Sequence, residues 1–563
     1  LLTFILPYTD GYVVRSDFIN VRLGALAGQR ELQQFLKPLQ YCRGPKADLN
    51  SNSLDDGTLM SLISSAAGVI TSPFDYEFNL KDLEDGIAGR ISYPWLSSTP
   101  ITPRRVALFR GRPNHKTGFP VYAAAKNLGL SLVVIDEPGH WLQPDSDENR
   151  DLREAFIPID ITEDDGLPAR IATAVAESHY HIDGIFTLSD NYLVSVARAA
   201  ELMRLPTCPS SAYEVAYDKH QTRRLQAAPH EFASVNSSAD LLSIIDSQAF
   251  LPTYPLIVKP RTRGWSSEYV TKVRDQAELE AIMAKICKKY PGGALIEPYY
   301  DGPELDVNII VSSGKVLYTE IVDELPSNGD TSDGSSADFL ESGVLIPSKL
   351  PRYEQDAICK QIADIIIPLG FTDGVFHTEV RLTRSSMAFQ ADPTTGLVDL
   401  APASSEKADD EKEPAVRAHI VEINARPPGI FSQKLSAHTF GVDYFAARML
   451  AAIADPARLA LTSIPFSVST MPPGAQCHSF MLFLPVLRPG VTDGEDVLNR
   501  VMERVPHIAE RVVDSHCFFT KGDTLPDPSE TVACFARVIL ASTEGREHVM
   551  GMADRVKREY FKD

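Results

Sequence analysis

No apolar run in this 563-residue chain approaches the ~18–20 residues that a bilayer span requires, so a membrane-crossing helix is excluded. The opening Leu1–Leu6 stretch is too short for the apolar part of a secretion signal and has no basic flank before it. It also lacks an initiator Met, so the natural start is expected upstream. Cysteine is sparse: seven residues, odd in number, with no CxxC spacing. Neither a disulfide framework nor a zinc site fits, and a reducing cytoplasmic compartment is expected, with the thiols as small core residues. Basic residues are the minority, 54 against 75 acidic, for a net charge of -21. That balance argues against a nucleic-acid or anionic-membrane partner. Internal repeats and a G-x-G-x-x-G fingerprint are also missing.

What remains is a long chain with several distinct textures, enough for roughly three or four domains. Residues 1–98 are weakly patterned and suggest no role. A Ser-Ser-Thr-Pro boundary at 97–100 precedes alternating strand and helix signals over 99–211, the pattern of a doubly wound α/β unit. Gly111-Arg112-Pro113-Asn114 follows its first strand and reads as a strand-to-helix turn. Residues 212–455 mix short buried strands, a hairpin around Ser312–Lys315 and a core-facing helix carrying Ile358, Ile362, Ile365 and Ile366. Two polar stretches interrupt this part. Ser327 to Ala337 reads as a mobile loop, and Ala391 to Pro414, within an insertion of about 385–416, as disordered. Residues 456–563 read as a separate C-terminal lid or scaffold domain.

The most informative stretch is Val421-Glu422-Ile423-Asn424-Ala425-Arg426-Pro427. On a strand, successive side chains alternate faces, so Glu422, Asn424 and Arg426 share one face and the apolar residues the other. Two oxygen ligands and a guanidinium in a row suit a magnesium-bound polyphosphate. A second strand, Gly374 to Val380, offers Glu379 as a third ligand if the two strands pair. Read singly, each carboxylate is a solvated strand residue; the ordered set points to a site. Lys219 at a helix start and Lys259 at a strand end are candidate phosphate cations. The loop containing Arg261, Arg263, Ser266 and Ser267 is either a phosphate cradle or a plain hairpin loop. Ile296-Glu297-Pro298-Tyr299-Tyr300 then reads as a hinge, followed by Glu304, with Asp306 and Asn308 as a solvated or structural polar face. His377 reads as a structural strand histidine.

This succession resembles the ATP-grasp superfamily, and within it the carboxylate-amine ligases of the carnosine synthase and dipeptide ligase kind. The resemblance implies an α/β and α+β fold, with a Rossmann-like domain at 99–211, a two-lobed ATP-grasp domain at 212–455 and a C-terminal lid at 456–563. It implies ATP and two Mg2+ ions (Mn2+ as a substitute), with Glu379, Glu422 and Asn424 as metal ligands. Lys219, Lys259, Ser266 and Ser267 would bind phosphate. Glu297, Tyr299 and Tyr300 would meet adenine, and Glu304 the ribose. Arg426 would be catalytic, stabilising an acyl phosphate, while Glu341, Arg261 and Arg263 are substrate-binding candidates. The implied partners are a small carboxylate and an amine, and a homodimer would suit the family. Two departures stand out: the phosphate loop is poor in glycine, and Glu379 and Glu422 lie 43 residues apart where about a dozen is common. An insertion at a hairpin tip accommodates the second, since loop closure costs grow slowly with length. The alternatives are a bicarbonate-activating carboxylase-type enzyme, though the chain has no Ala-Met-Lys-Met-like biotin segment, and a non-catalytic ATP-binding scaffold.

Overall fold

The computed structural model describes residues 1–26, 31–45, 55–72, 80–261, 269–290, 292–330, 339–403, 416–528 and 533–562. Val106 to Phe109 and Val133 to Ile135 are fully buried apolar runs, the signature of parallel strands covered on both faces. They lie in a four-stranded parallel sheet ordered Gly184–Phe186, Arg104–Phe109, Leu130–Asp136, Ala155–Pro158. The helices His115–Asn127, Leu167–Glu177 and Leu193–Met203 accompany it, as the alternation predicts. Gly184 runs so close to the helix Tyr444–Ala452 that a Cβ would lie 2.0 Å from the Ala452 carbonyl oxygen. Only glycine permits that approach, which seats the α/β unit directly on the following lobe.

The smaller lobe is an antiparallel sheet ordered Ala233–Val235, Ala294–Pro298, Leu256–Pro260, Thr271–Val273, backed by the helices Ser238–Asp246 and Gln276–Lys289. The larger lobe is an eight-stranded antiparallel sheet. Its order is Arg417–Asn424, Gly374–Thr383, Glu304–Ser312, Lys315–Glu324, Gly343–Ile346, His478–Pro485, Cys534–Ser542, Val512–Cys517. One face packs on the helix Arg352–Ile366 through Ile358, Ile362 and Ile366, the helical spacing noted above, with Ile365 half-buried beside them. The helix Tyr444–Ala452 is buried along its whole length and joins the core that also takes in residues of the parallel sheet. Each large side chain buried in this way contributes roughly 1.5–3 kcal/mol.

Three readings change. The sheet crosses the boundary drawn at 455/456: three strands of the C-terminal segment extend the larger lobe, because Phe480, Leu482 and Leu484 continue the buried alternation of Leu345. The Ala391-to-Pro414 stretch is ordered where described. Met387–Ala391 pairs with Val398–Pro402, Leu400 is fully buried, and Asp399 accepts hydrogen bonds from Lys349 and Arg546. Residues 404–415 lie outside the described residues. The start of the expected mobile loop is a 3-10 turn at Asn328–Asp330, held where Asp330 accepts from Tyr299, Arg381 and Ser327, and the rest of it, 331–337, lies outside the described residues. Residues 1–98 form two small three-stranded sheets. They dock through Arg15, paired with Asp443 at 2.7 Å, and Arg22, which donates to the carbonyls of Ile464 and Pro465.

Candidate active site

Strand alternation decides which side chains meet across the larger sheet. Glu379 on Gly374–Thr383 stands opposite Glu422 on one side and Asp306 on the other. In the next row Asn308 lies between Glu320 and His377, and His377 opposes Asn424. In the row beyond Asp306, Glu304 lies between Glu324 and Arg381, and Arg381 opposes His419. The register slips between Glu379 and Val380, a bulge that leaves Val421 out of step. The Val421 carbonyl accepts a hydrogen bond from Lys259 Nζ at 3.3 Å. The slip also exchanges parity, so His419 rather than the buried Ile420 shares the face of Glu422, and its ring stacks on Tyr300 at 3.7 Å.

The cations come from the smaller lobe and the segment before it. Lys219 opens a short helix capped by Asp218 and lies 3.3 Å from Glu422. Lys259, next to last in its strand, is buried 2.7 Å from Glu297. Arg223 donates to the other Glu297 oxygen, from Nε at 2.7 Å. Arg426 extends from the Glu422 strand to Asp190, which follows strand Gly184–Phe186 in the α/β unit, with Nε and Nη2 both donating. The cleft between the lobes, about 130 Å³, is lined by Lys219, Lys259, Glu297, Glu304, Glu379 and Glu422 among others. A second groove of about 540 Å³ lies on the α/β unit against His115, Phe119 and Trp141, away from these carboxylates.

The charge states follow from burial and neighbours. Burial, then Glu422 and Asp306, pushes the Glu379 carboxyl well above the usual range. Burial lifts Asp306 to about 7 and Glu320 to about 7. Burial opposes ionisation of Glu422 too, but Lys219 and Lys259 outweigh it and hold its carboxyl low. His377 is pushed down to about 3 by burial and Arg426, so it is neutral; its Nδ1 lies 2.9 Å from Asn308 Oδ1, which fits a structural part. A crowded row of carboxyl oxygens with too little local cation is what a divalent cation would relieve, and Glu379, Glu422 and the Asn424 amide are hard oxygen donors that fit Mg2+. Among the described residues no three histidine, cysteine or carboxylate side chains form a preformed cage. Mg2+ commonly takes only one or two carboxylates and completes its shell with water and phosphate oxygens.

Most of the residues singled out in the sequence gather at this cleft: Lys219, Lys259, Glu297, Tyr300, Glu304, Glu341, Glu379 and Glu422 line it, and Asn424 follows on the strand. Several details differ from the reading by resemblance. Glu297 has one oxygen on Lys259 and the other on Arg223, so its side chain positions those cations. The Tyr299 N–H already donates to the Pro255 carbonyl, and the Tyr300 carbonyl accepts from Arg381. Arg261 is paired with Asp218 at the cap of the Lys219 helix, so its charge is met within the chain. Asp306 and Asn308, read as a solvated or structural polar face, are the structural kind: they are buried beside Glu379 and His377 because their strand lies inside the sheet. Arg263, Ser266 and Ser267 lie outside the described residues. Asp190, Arg223, Arg381 and His419 went unnoticed in the sequence; an acid just past a strand of a parallel sheet was the one available signal, and it pointed to Asp190.

A cleft with lysines on one lobe and a row of acids on the other defines an enzyme of the nucleotide-binding kind. Residues 122–207 match the ATP-grasp N-terminal domain, and residues 252–393 match the ATP-grasp domain. The chain is 31% identical to the ATP-grasp enzyme fsqD of Aspergillus fumigatus, over 99% of this chain and 96% of that one. It is 24% identical to carnosine synthase 1 of Mus musculus over 47% of this chain, and spans 33% of that protein's length. The crystal structure of an L-amino acid ligase from Bacillus licheniformis superposes with a TM-score of 0.59 at 20% identity, covering 81% of this chain and 97% of that one. The chain belongs to the ATP-grasp family.

Proposed function

We propose that the chain is an ATP-dependent carboxylate-amine ligase, joining a small carboxylic or amino acid to an amine through an acyl phosphate with release of ADP and phosphate. The observation that carries this reading is Glu379 opposite Glu422, with Asn424 following on the same strand face, Arg426 in the bend just past the strand's end and Lys219 at 3.3 Å. A carboxylate oxygen of the acid attacks the γ-phosphorus, and ADP leaves with the electrons of the bridging bond. The amine nitrogen then attacks the acyl carbon, phosphate leaves, and the nitrogen loses a proton.

The protein's part is positioning and charge neutralisation. Lys219 and Lys259 present ammonium groups at the phosphate end, each steered by a carboxylate that keeps it from collapsing elsewhere. Arg426, held flat by Asp190 and also donating to the Pro427 carbonyl and Asn424 Oδ1, offers its one remaining Nη1 N–H and its positive charge to charge that develops on the transferring phosphoryl and on the tetrahedral centre. Bound Mg2+ would be held by Glu379, Glu422 and Asn424 and would supply neutralisation of the triphosphate. Glu341 at the cleft mouth and the Asp330 turn beside Tyr299 suit exclusion of water from a hydrolysable intermediate. The names of the relatives, an L-amino acid ligase and carnosine synthases, support amide formation.

The test is a screen of amino and other carboxylic acids against amines, reading phosphate release and product mass. Turnover that needs both an acid and an amine is expected, and is lost in Glu422→Ala. Bicarbonate-dependent turnover without an amine, or full activity in Glu422→Ala, would overturn the reading.

A further inference from the structure

Nearly every cation around the cleft already has a carboxylate. Lys219 is on Glu422, Lys259 and Arg223 on Glu297, Arg261 on Asp218, Arg381 on Glu304 and Asp330, and Arg426 on Asp190. Arg537 has no ion pair among the described residues, but the rings of Phe431, Phe483 and Phe518 surround its guanidinium at 5.4, 4.6 and 5.4 Å. Arg112 has neither. Its Nε is buried without a hydrogen-bond partner, and among the described residues no carboxylate lies within ion-pair distance and no ring within cation–π reach. A half-buried guanidinium with its Nε shut off from water and no anion beside it is a costly arrangement, and a ligand carboxylate is the group that would relieve it.

The backbone of Arg112 is held firmly for a loop residue. Its N–H donates to the Tyr122 hydroxyl at 3.0 Å, and its carbonyl accepts from Trp141 Nε1 at 2.7 Å and meets His140 Nε2 at 3.0 Å. Before it, the Gly111 N–H donates to the buried Asp136 at 2.8 Å. The loop leaves the C-terminal end of strand Arg104–Phe109, the edge at which open parallel sheets bind ligands. Strand Gly184–Phe186 is its parallel neighbour, and Asp190 opens the 3-10 turn that follows that neighbour's C-terminal end, so the two loops leave the same edge of the sheet side by side. Asp190 holds Arg426, and Arg112 on the adjoining loop is near enough to Arg426 for their like charges to act on each other.

Resting on the ligase reading above, we propose that Arg112 binds the carboxylate of the amine-donating substrate, which is therefore an amino acid and not a simple amine. In amide formation the acid's carboxylate is consumed beside Arg426. The free carboxylate that survives into the product needs a second cation that is not already paired and lies within one small molecule of the first. Arg112 meets both conditions.

The experiment uses the full chain with an acid and amino acid pair found active in the screen. It compares kcat/KM for that amino acid with kcat/KM for the decarboxylated amine of the same side chain. In the unmodified protein the amino acid is expected to be preferred by about 10- to 100-fold, the worth of a charge-assisted hydrogen-bonded contact. Arg112→Ala is expected to abolish that preference through KM, and Arg112→Lys to restore part of it, while direct binding of ADP remains as a check of folding. No preference in the unmodified protein, or a preference unaltered in both variants, overturns the assignment. If Arg112→Ala fails to bind ADP, the Lys variant and the unmodified protein's own preference decide. Amide formation that ignores the carboxylate would sink this inference alone, whereas no ADP release with any acid and amine would sink the ligase reading.

Discussion

Arg426 and Asp190 meet fork to fork, with Nε and Nη2 at 2.7 and 2.8 Å from the two carboxylate oxygens, across the join between the α/β unit and the larger sheet. A planar guanidinium held by two parallel bonds, with further bonds to the Pro427 carbonyl and Asn424 Oδ1, has little freedom to rotate, so its one remaining Nη1 N–H points in a set direction. The α/β unit thereby aims a side chain that belongs to another lobe.

Asp190→Asn is accordingly expected to lower kcat by about 100-fold, since displacement of such a group by an ångström has effects of that size. ADP binding should persist, because Lys219 and Lys259 do not depend on Asp190. Steady-state kinetics with ADP titration separates the two; an unaltered kcat would show that Arg426 needs no such guide.

Glu379→Gln and Glu422→Gln should each lower turnover by on the order of 100-fold or more. Part of the loss should return at raised Mg2+ if these oxygens hold the metal. Turnover measured across a magnesium titration provides the check, and variants with the parent's magnesium dependence would contradict the assignment.

Glu297 bridges two buried cations, with all three side chains at most about 5% exposed. Burial works against its ionisation, but Arg223 and Lys259 outweigh it. Glu297→Ala leaves both cations uncompensated and should destabilise by roughly 3–5 kcal/mol, measured by urea unfolding of the nucleotide-free protein. A loss under 1 kcal/mol would mean the cations find other partners.

His438, on the helix Ile430–Phe440, is pushed down to about 4 by burial and by Arg90. In the unfolded chain it titrates near 6.5. Between those values the unfolded state binds a proton that the folded state refuses, so stability falls as pH drops from about 6.5 towards 4 and is unaffected above that window. The contribution is about 3 kcal/mol at most. His438→Gln should flatten that limb of the stability profile relative to the parent, whatever its effect at neutral pH.

The acid pair was legible in the sequence because alternation alone places Glu422, Asn424 and Arg426 on one face, and pairing needed only a partner strand. The bulge after Glu379 was not, since Val380 and Val421 look like ordinary strand residues; parity past the bulge, and with it His419, could not be read. The pairing of Glu297 with Arg223 was not legible, because nothing local reveals that Arg223 will reach it from another segment. The stretch after Ala391 looked disordered because few apolar residues occur in it; Leu400 and the Asp399 contacts are enough to seat its hairpin. Arg112 was passed over because its turn lacks the glycine spacing of a dinucleotide loop, and its significance lies in missing partners, which no motif records.

The continuous eight-stranded sheet has a practical consequence for anyone who would divide this protein. Ending the chain at residue 455 would strip away the neighbour of Gly343–Ile346, leaving a row of bare amides and the apolar side chains of Val344, Leu345 and Ile346 exposed to any passing strand. Such a fragment should self-associate, and exchanging the C-terminal portion between relatives would require the recipient's sheet to accept the donor's stagger strand by strand.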